Sequence, residues 1–185
     1  MYLQHWPSQQ YDVSETMGAM AELVSKGLVN YVGVSNFSTH LMQEAQYHLG
    51  NIPLSCNQVA YHLNDRRIES QVLPFAKKNG VSIMGYSPFG YAPQVFGMKG
   101  FPMVGSQERN VLESIGAKYG KSAFQVAKNW VLRQKELVTI PKAANKEHIL
   151  NNLNALGWEL QKDDLDLIES NFPIDNEGLS SLGKL

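Results

Sequence analysis

The sequence predicts an α/β protein built around a parallel β-sheet, because short apolar strands alternate with amphipathic helices along the chain. Parallel neighbours need a crossover connection, and a helix between consecutive strands supplies it. The five predicted strands cover residues 2–5, 31–36, 54–60, 81–87 and 137–141. The predicted helices cover residues 14–26, 39–49, 66–78, 107–119, 122–134, 146–156 and 163–171.

The first strand and helix follow from a short apolar run and a helical repeat. The run is YLQH at residues 2–5, and Ser14 is a suitable N-cap for the helix that follows. Apolar residues recur at the spacing of one helix face, at Met17, Met20, Ala21, Leu23 and Val24. Gly27 then stands where glycine commonly ends a helix.

The later elements follow the same logic. The strands are YVGVSN, LSCNQVA, VSIMGYS and LVTIP, and Asn79 with Gly80 ends the helix before the fourth strand. A long Gly/Pro-rich loop covers residues 88–105, and a short polar tail follows the last helix. No linker or low-complexity segment interrupts the pattern, so residues 1–185 are predicted to form a single domain.

The composition is that of a soluble globular protein. The 16 basic and 17 acidic residues give a formal net charge of -1, and they form no basic stripe that would follow a phosphate backbone. No apolar run is long enough to cross a membrane. The only cysteine, Cys56, excludes an intrachain disulfide. We therefore expect a cytoplasmic protein with no nucleic-acid and no membrane partner.

Polar side chains stand at the carboxyl end of every predicted strand. They are His5, Ser35 with Asn36, Asn57 with Gln58, Tyr86 with Ser87, and Lys142. Each alone could simply cap a strand, but in a barrel the five ends would converge on one face and form a site. The alternation itself leaves two architectures open, a doubly wound open sheet and a (β/α) barrel. The dinucleotide fingerprint of the open sheet, G-x-G-x-x-G after a strand, is absent from the sequence.

Five segments in order resemble the carboxy-terminal part of the aldo-keto reductase family. YLQHWP resembles the strand with the family's active-site histidine, and GLVNYVGVSNF resembles the strand that ends in Ser-Asn. CNQVAYHL resembles the strand with the cofactor glutamine, and GYSPFG the strand whose aromatic residue stacks on nicotinamide. TIPKAANKEHILNNL resembles the segment that holds the adenosine phosphate. The resemblance implies a partial (β/α)8 TIM barrel, a truncated half-barrel of about five βα units without the N-terminal strands.

At the nicotinamide end of the cofactor, the resemblance implies five residues. His5 would orient the carbonyl group of the substrate. Ser35, Asn36 and Gln58 would hydrogen-bond the carboxamide, whose donors and acceptors they can satisfy. Tyr86 would stack on the nicotinamide ring.

At the adenosine end, the resemblance implies a further set. Ser87 and Pro88 would belong to the turn whose backbone approaches the pyrophosphate. Lys142 would face the 2′-phosphate that distinguishes NADPH, and Asn152 would contact the adenine. His148 stands where the family commonly has an arginine, which offers phosphate a planar fork that histidine lacks. NADPH is therefore the expected cofactor, and NADH is the alternative.

The family reaction is the NAD(P)H-dependent reduction of a small carbonyl compound, an aldehyde or ketone, to an alcohol. Its catalytic group is Asp, Tyr, Lys and His, and the resemblance places only the histidine, His5, on this sequence. A tyrosine with the ordinary pKa of about 10 needs a nearby lysine to act as an acid. We therefore expect little or no turnover from this chain alone. The alternative is a non-catalytic nicotinamide-binding or structural half-barrel that assembles with itself or with a partner.

Five parallel strands would leave two edges unpaired and apolar surface uncovered. Self-association would bury that surface. The chain is therefore predicted to be a homo-oligomer.

Overall fold

The computed structural model describes residues 1–90 and 100–174 of the 185-residue chain, so part of the Gly/Pro-rich loop and the polar tail lie outside the described residues. The strands are β1 (Tyr2–Gln4), β2 (Val32–Ser35), β3 (Leu54–Ala60), β4 (Ser82–Tyr86) and β5 (Leu137–Thr139). The helices are α1 (Val13–Ser25), α2 (Thr39–Leu49), α3 (Val72–Asn79), α4 (Gln107–Tyr119), α5 (Ala123–Leu132), α6 (Lys146–Leu153) and α7 (Lys162–Asn171), with a 3₁₀ turn at Arg67–Glu69.

The five strands form one sheet in which they lie in chain order. β1 and β2 pair in parallel, and so do β2 and β3. The register of the second pair shifts once, because Val32 faces Leu54 whereas Gly33 faces Cys56. The prediction of a parallel α/β sheet is confirmed, and the carboxyl ends of β1, β2 and β3 lie at one edge of it.

The described residues divide into two compact units. Met1–Val59 and Arg67–Met84 belong to the first, and the second contains Ala60–Arg66 and the described residues from Gly85 onward. The first unit holds β1, β2 and α1 to α3, the second holds β5 and α4 to α7, and β3 and β4 contribute to both. That residues 1–185 form a single domain stays a prediction.

The first unit depends on a close approach of two strands. Gly33 of β2 lies between the fully buried Val32 and Val34. A Cβ atom at Gly33 would come within 2.7 Å of the Cys56 Sγ and 2.9 Å of the Cys56 carbonyl oxygen, closer than real contacts allow. Glycine at this position therefore lets β2 lie against β3. Burial raises the pKa of the Cys56 thiol, as expected for a small packed residue.

Helices α1 and α2 pack against each other beside this sheet. α1 begins at Val13, and its N-cap is Asp12 and not the predicted Ser14. The carboxylate of Glu15 accepts a hydrogen bond from the Asp12 backbone N–H at 3.1 Å, which is half of a capping box. Gly27 follows the helix with a φ of +68°, as predicted for a helix end.

The second unit is organised around Trp130 of α5, which is fully buried. Its ring lies 5.5 Å from the ring of Tyr61, and the guanidinium groups of Arg133 and Arg66 lie 3.8 Å and 5.0 Å from the Trp130 ring. Both arginines pair with Glu169 of α7, at 3.1 Å and 2.5 Å. Glu169 thus provides a counter-charge to the buried Arg66 and the half-buried Arg133, and its contact with Arg133 joins α5 to α7.

A buried carboxylate joins α7 to α4. Asp164 accepts hydrogen bonds from the Lys118 ammonium group at 2.5 Å and from the Tyr119 hydroxyl at 2.6 Å. Burial alone would raise the pKa of Asp164, but the two hydrogen bonds outweigh it and hold the pKa below its ordinary value.

Acid should therefore weaken this contact. A carboxyl group whose pKa is lower in the folded chain stabilises the fold above the unfolded pKa of about 4, and that contribution is lost as the pH falls through the folded pKa. Asp164→Asn should lower the Tm at neutral pH by a few degrees, since such contacts contribute on the order of 1–2 kcal/mol. It should also flatten the fall in Tm between about pH 6 and pH 2.

The matched control for this prediction is Asp166→Asn. Asp166 also lies on α7, but its carboxylate is exposed and pairs with the exposed Lys162. Exposed ion pairs contribute little, so the control should keep the acid response of the wild type. Identical curves of Tm against pH for the two variants would contradict the role of Asp164.

Candidate functional site

The carboxyl ends of β1, β2 and β3 meet through one hydrogen-bond network. The Asn36 side-chain N–H donates to the carbonyl oxygen of His5 at 3.3 Å and to the Ser35 hydroxyl at 3.1 Å. The Ser35 hydroxyl and the Asn36 backbone N–H both donate to the carbonyl oxygen of Gln58, at 2.8 Å and 2.9 Å. The structure therefore brings together the four residues His5, Ser35, Asn36 and Gln58.

Two of the predicted cofactor residues have a left-handed backbone. Asn36 follows β2 with a φ of +62°, and Ser87 follows β4 with a φ of +52°. Side chains other than glycine adopt this region at an energetic cost, although asparagine tolerates it better than most. Such conformations persist only where the surroundings hold them, and they concentrate at functional sites.

Asn57 holds the turn at Asn36 in place. Asn57 is fully buried, its side-chain N–H donates to the Phe37 carbonyl oxygen at 2.8 Å, and its Oδ1 accepts from the Phe37 N–H at 3.4 Å. Successive strand residues point to opposite faces, so Asn57 and Gln58 have different surroundings. Asn57 lies at the same end of the strands as the other polar residues, and its side chain supports the turn from within the fold.

Gln58 and His5 present polar groups at this end of the sheet. Gln58 is half-buried, and its side-chain N–H lies 3.1 Å from the sulfur of Met84. Its Oε1 makes no hydrogen bond within residues 1–90 and 100–174, so it can accept one from a ligand. The side chain of His5 is exposed, with its ring 6.1 Å from that of Trp6.

The other predicted cofactor residues lie in the second unit, and those nearest β4 form a tight turn. Tyr86 is half-buried, and its carbonyl oxygen accepts from the Tyr61 N–H at 3.3 Å. The Gly90 N–H donates to the Ser87 carbonyl oxygen at 2.8 Å, which closes the turn around the buried Pro88. Gly90 has a φ of +82°, a conformation that glycine adopts without strain.

Lys142 and His148 are exposed, on the segment before α6 and on α6 itself. α6 begins where predicted, and the side chain of its N-cap, Asn145, accepts from the Glu147 N–H at 2.7 Å. Asn145 therefore occupies one of the N–H groups that a helix N-terminus would offer to phosphate. Lys142 and His148 lie on either side of this N-terminus in the chain, and Lys146, the first residue of α6, is a third exposed basic side chain there.

Asn152 of α6 is held by a residue that was not among the predicted site residues. Lys128 of α5 is only 2% exposed, and its ammonium group donates a hydrogen bond to the Asn152 Oδ1. The ammonium nitrogen also lies 5.1 Å from the centre of the Phe89 ring. Burial lowers the pKa of Lys128 to about 8. Lys128 is the one charged residue of α5. A single lysine within an otherwise uncharged helix is the feature of the sequence that could have indicated its role.

Other kinds of site find little support in the described part of the chain. No three His, Cys, Asp or Glu side chains there are grouped as a metal ion requires. No described helix combines the length and the hydrophobicity needed to cross a membrane.

Removing the Asn57 side chain should destabilise the fold through the turn. Asn57→Ala leaves the buried N–H and carbonyl groups of Phe37 without this partner, at a cost of about 2 kcal/mol in the free energy of unfolding. Urea unfolding measures this change, and amide NMR shifts at Asn36 and Phe37 report the turn. Asn110→Ala, at an exposed position on α4, is the control. Equal stability of both variants would mean that the turn does not depend on Asn57.

Known proteins match this chain over most of its length. The sequence profile of the Aldo/keto reductase family matches residues 1–171. Methylglyoxal reductase YeaE of Escherichia coli is 32% identical over 173 residues, which are 94% of this chain and 58% of that protein. Glyoxal reductase of Bacillus subtilis is 30% identical over 170 residues, 92% of this chain and 55% of that protein.

Solved structures of aldo-keto reductases also match this chain. The crystal structure of an aldo/keto reductase from Klebsiella pneumoniae in complex with NADP and acetate matches with a TM-score of 0.80 and 30% identity, over 95% of this chain and 59% of that one. The chain thus spans just over half the length of these relatives. The sheet and its helices are part of a (β/α)8 barrel, and the chain belongs to the aldo-keto reductase family.

Proposed function

We propose that this chain binds NADPH and contributes to the reduction of a small aldehyde or ketone to an alcohol. The observation that carries the proposal is the network in which Asn36 ties the ends of β1 and β3 to β2, with His5 at the same edge. The names of two relatives, methylglyoxal reductase and glyoxal reductase, support a small reactive carbonyl compound as substrate. When bound, NADPH supplies the hydride.

The residues at the ends of β2 and β3 fit the nicotinamide carboxamide. The Oε1 of Gln58 can accept from the carboxamide NH₂, and the Ser35 hydroxyl, whose proton is given to the Gln58 carbonyl, can accept a second N–H. The half-buried ring of Tyr86 offers a flat apolar surface for the nicotinamide ring. Holding both groups would fix which face of the ring meets the substrate.

The residues of the second unit fit the phosphates and adenosine. The turn that Ser87 opens and Gly90 closes lets a pyrophosphate come close to the backbone, because Gly90 has no side chain. Lys142 carries three N–H donors suited to a 2′-phosphate, which favours NADPH. His148 lacks the planar fork of an arginine, so NADH is the alternative cofactor.

Of the family's catalytic group, the matched motifs include only His5. An imidazole N–H at the end of β1 can hydrogen-bond a substrate carbonyl oxygen and orient it. Reduction also needs a proton donor to that oxygen, and no tyrosine paired with a lysine matches the family pattern here. We therefore propose that the chain on its own binds cofactor and turns over little.

An NADPH titration followed by tryptophan fluorescence tests the proposal. Tyr86→Ala should raise the Kd about tenfold, because an aromatic ring stacked on a base contributes on the order of 1–3 kcal/mol. Tyr47→Ala is the matched control, since Tyr47 is 81% exposed on α2. A folded wild-type chain that does not bind NADPH or NADH would contradict the proposal.

A second candidate function is a half-barrel that assembles with itself. Apolar side chains are exposed on β5 and on α6, with Val138 at 53%, Leu150 at 50% and Leu153 at 56%. Exposed apolar strands and patches of this kind favour association. Identical copies would carry the same face, so we propose a second copy of this chain as the partner.

Light scattering during size-exclusion chromatography tests this assembly. At concentrations on the order of tens of micromolar, where ordinary dimers form, the wild type should elute as a dimer or larger species. Leu153→Glu should shift it towards monomer, because a buried carboxylate would oppose association. Leu28→Glu changes a leucine that is 69% exposed in the first unit and should leave the assembly intact. A monodisperse wild-type monomer would rule the assembly out.

A further inference from the structure

Lys128 is the one buried lysine among the described residues. Within residues 1–90 and 100–174 its ammonium group makes no ion pair, and its contacts are the Asn152 amide and the Phe89 ring. A buried charge without a counter-charge is unfavourable, and an apolar side chain of the same size would be more stable there. The stability of the fold therefore does not account for a lysine at this position.

The chemistry of the contact fixes the orientation of the Asn152 amide. An ammonium group has three donors and no acceptor, so the Asn152 atom that faces Lys128 is the oxygen. An asparagine without such a partner could point either its oxygen or its nitrogen towards a ligand. With Oδ1 held towards Lys128, the NH₂ group of Asn152 points away from that contact and can donate to a ligand.

The location of Lys128 connects two segments of the proposed cofactor site. Phe89 belongs to the turn that begins at Ser87, and Asn152 belongs to α6. Both are half-buried, whereas Lys128 lies beneath them on α5. With a pKa of about 8, Lys128 is mainly protonated at neutral pH and keeps its three donors.

We propose that Lys128 is a positioning residue of the nucleotide site, which holds the Asn152 oxygen so that the Asn152 NH₂ group donates to a ring nitrogen of the cofactor's adenine. Adenine ring nitrogens are acceptors, so the fixed amide complements them. This inference rests on the proposed binding of NADPH. It adds a residue and a direction of hydrogen bonding to that site.

Binding of the two halves of the cofactor tests the proposal. Adenosine 2′,5′-bisphosphate carries the adenine, and reduced nicotinamide mononucleotide lacks it. Lys128→Met should raise the Kd for NADPH and for adenosine 2′,5′-bisphosphate about fivefold, the effect of one lost hydrogen bond. The Kd for reduced nicotinamide mononucleotide should not change. Lys135→Met, at an exposed position, removes the same charge and should leave all three values unchanged.

Two further variants separate positioning from a merely structural role. Asn152→Ala should raise the Kd for adenosine 2′,5′-bisphosphate by the same factor, and the double variant should add nothing, because both changes remove one interaction. Asn152→Asp keeps the shape and gains an ion pair with Lys128 but has no N–H to donate. It should therefore bind the bisphosphate as weakly as Asn152→Ala while its Tm does not fall.

The results distinguish a failure of the role of Lys128 from a failure of the proposed function. Unchanged binding of the bisphosphate by Lys128→Met, additive effects in the double variant, or equal weakening for the nicotinamide half would overturn the inference alone. A wild-type chain that fails to bind NADPH overturns the proposed function, and the role of Lys128 falls with it. The Tm of Lys128→Met should equal or exceed that of the wild type, since a buried charge is removed.

Discussion

The hydrogen bonds made by Asn36 are the constraint on which the candidate site depends. One residue in a left-handed conformation joins three strand ends, because its side chain reaches His5 and its backbone N–H reaches Gln58. Asn57 stabilises this conformation, because its side chain hydrogen-bonds both backbone groups of Phe37, the residue that follows Asn36. A polar edge of the sheet is thus fixed by backbone geometry before any ligand binds, as preorganised sites require.

Buried charged side chains have ion-pair partners around α7, but Lys128, beside the candidate site, has different surroundings. Arg66 and Arg133 share Glu169, and Asp164 is paired with Lys118, so the buried charges of Arg66 and Asp164 have partners and contribute to the packing of α7. Among residues 1–90 and 100–174, the ammonium group of Lys128 has the Asn152 amide and the Phe89 ring as its polar and aromatic partners. In the described part of the chain, carboxylates therefore accompany the cations that join α7 to its neighbours, whereas none pairs with the cation beside the segments assigned to the cofactor.

Strand and helix ends could be predicted where neighbouring residues in the sequence determine them. β3 and α2 were predicted to the residue, because apolar patterning and a serine N-cap mark their ends. The predicted helix at 66–78 is a 3₁₀ turn followed by α3, whose first turn accommodates Pro74. The start of α1 was misplaced, since the hydrogen bond from the Asp12 N–H to the Glu15 carboxylate outweighs the simple propensity of Ser14. The contacts of Asn57 and Lys128 depend on distant partners, which the sequence does not identify, although a single charge on the apolar helix α5 marks Lys128.

The most direct test of the central claim is hydrogen–deuterium exchange of the chain with and without NADPH. If the proposed cofactor residues of each unit contact NADPH, it should slow exchange at residues 34–37 and 57–59 of the first unit and at residues 86–90 and 146–153 of the second. Exchange on the outer turns of α1 and α4 should stay the same. Unchanged exchange in all four segments at saturating NADPH, or protection confined to other parts of the chain, would contradict the account.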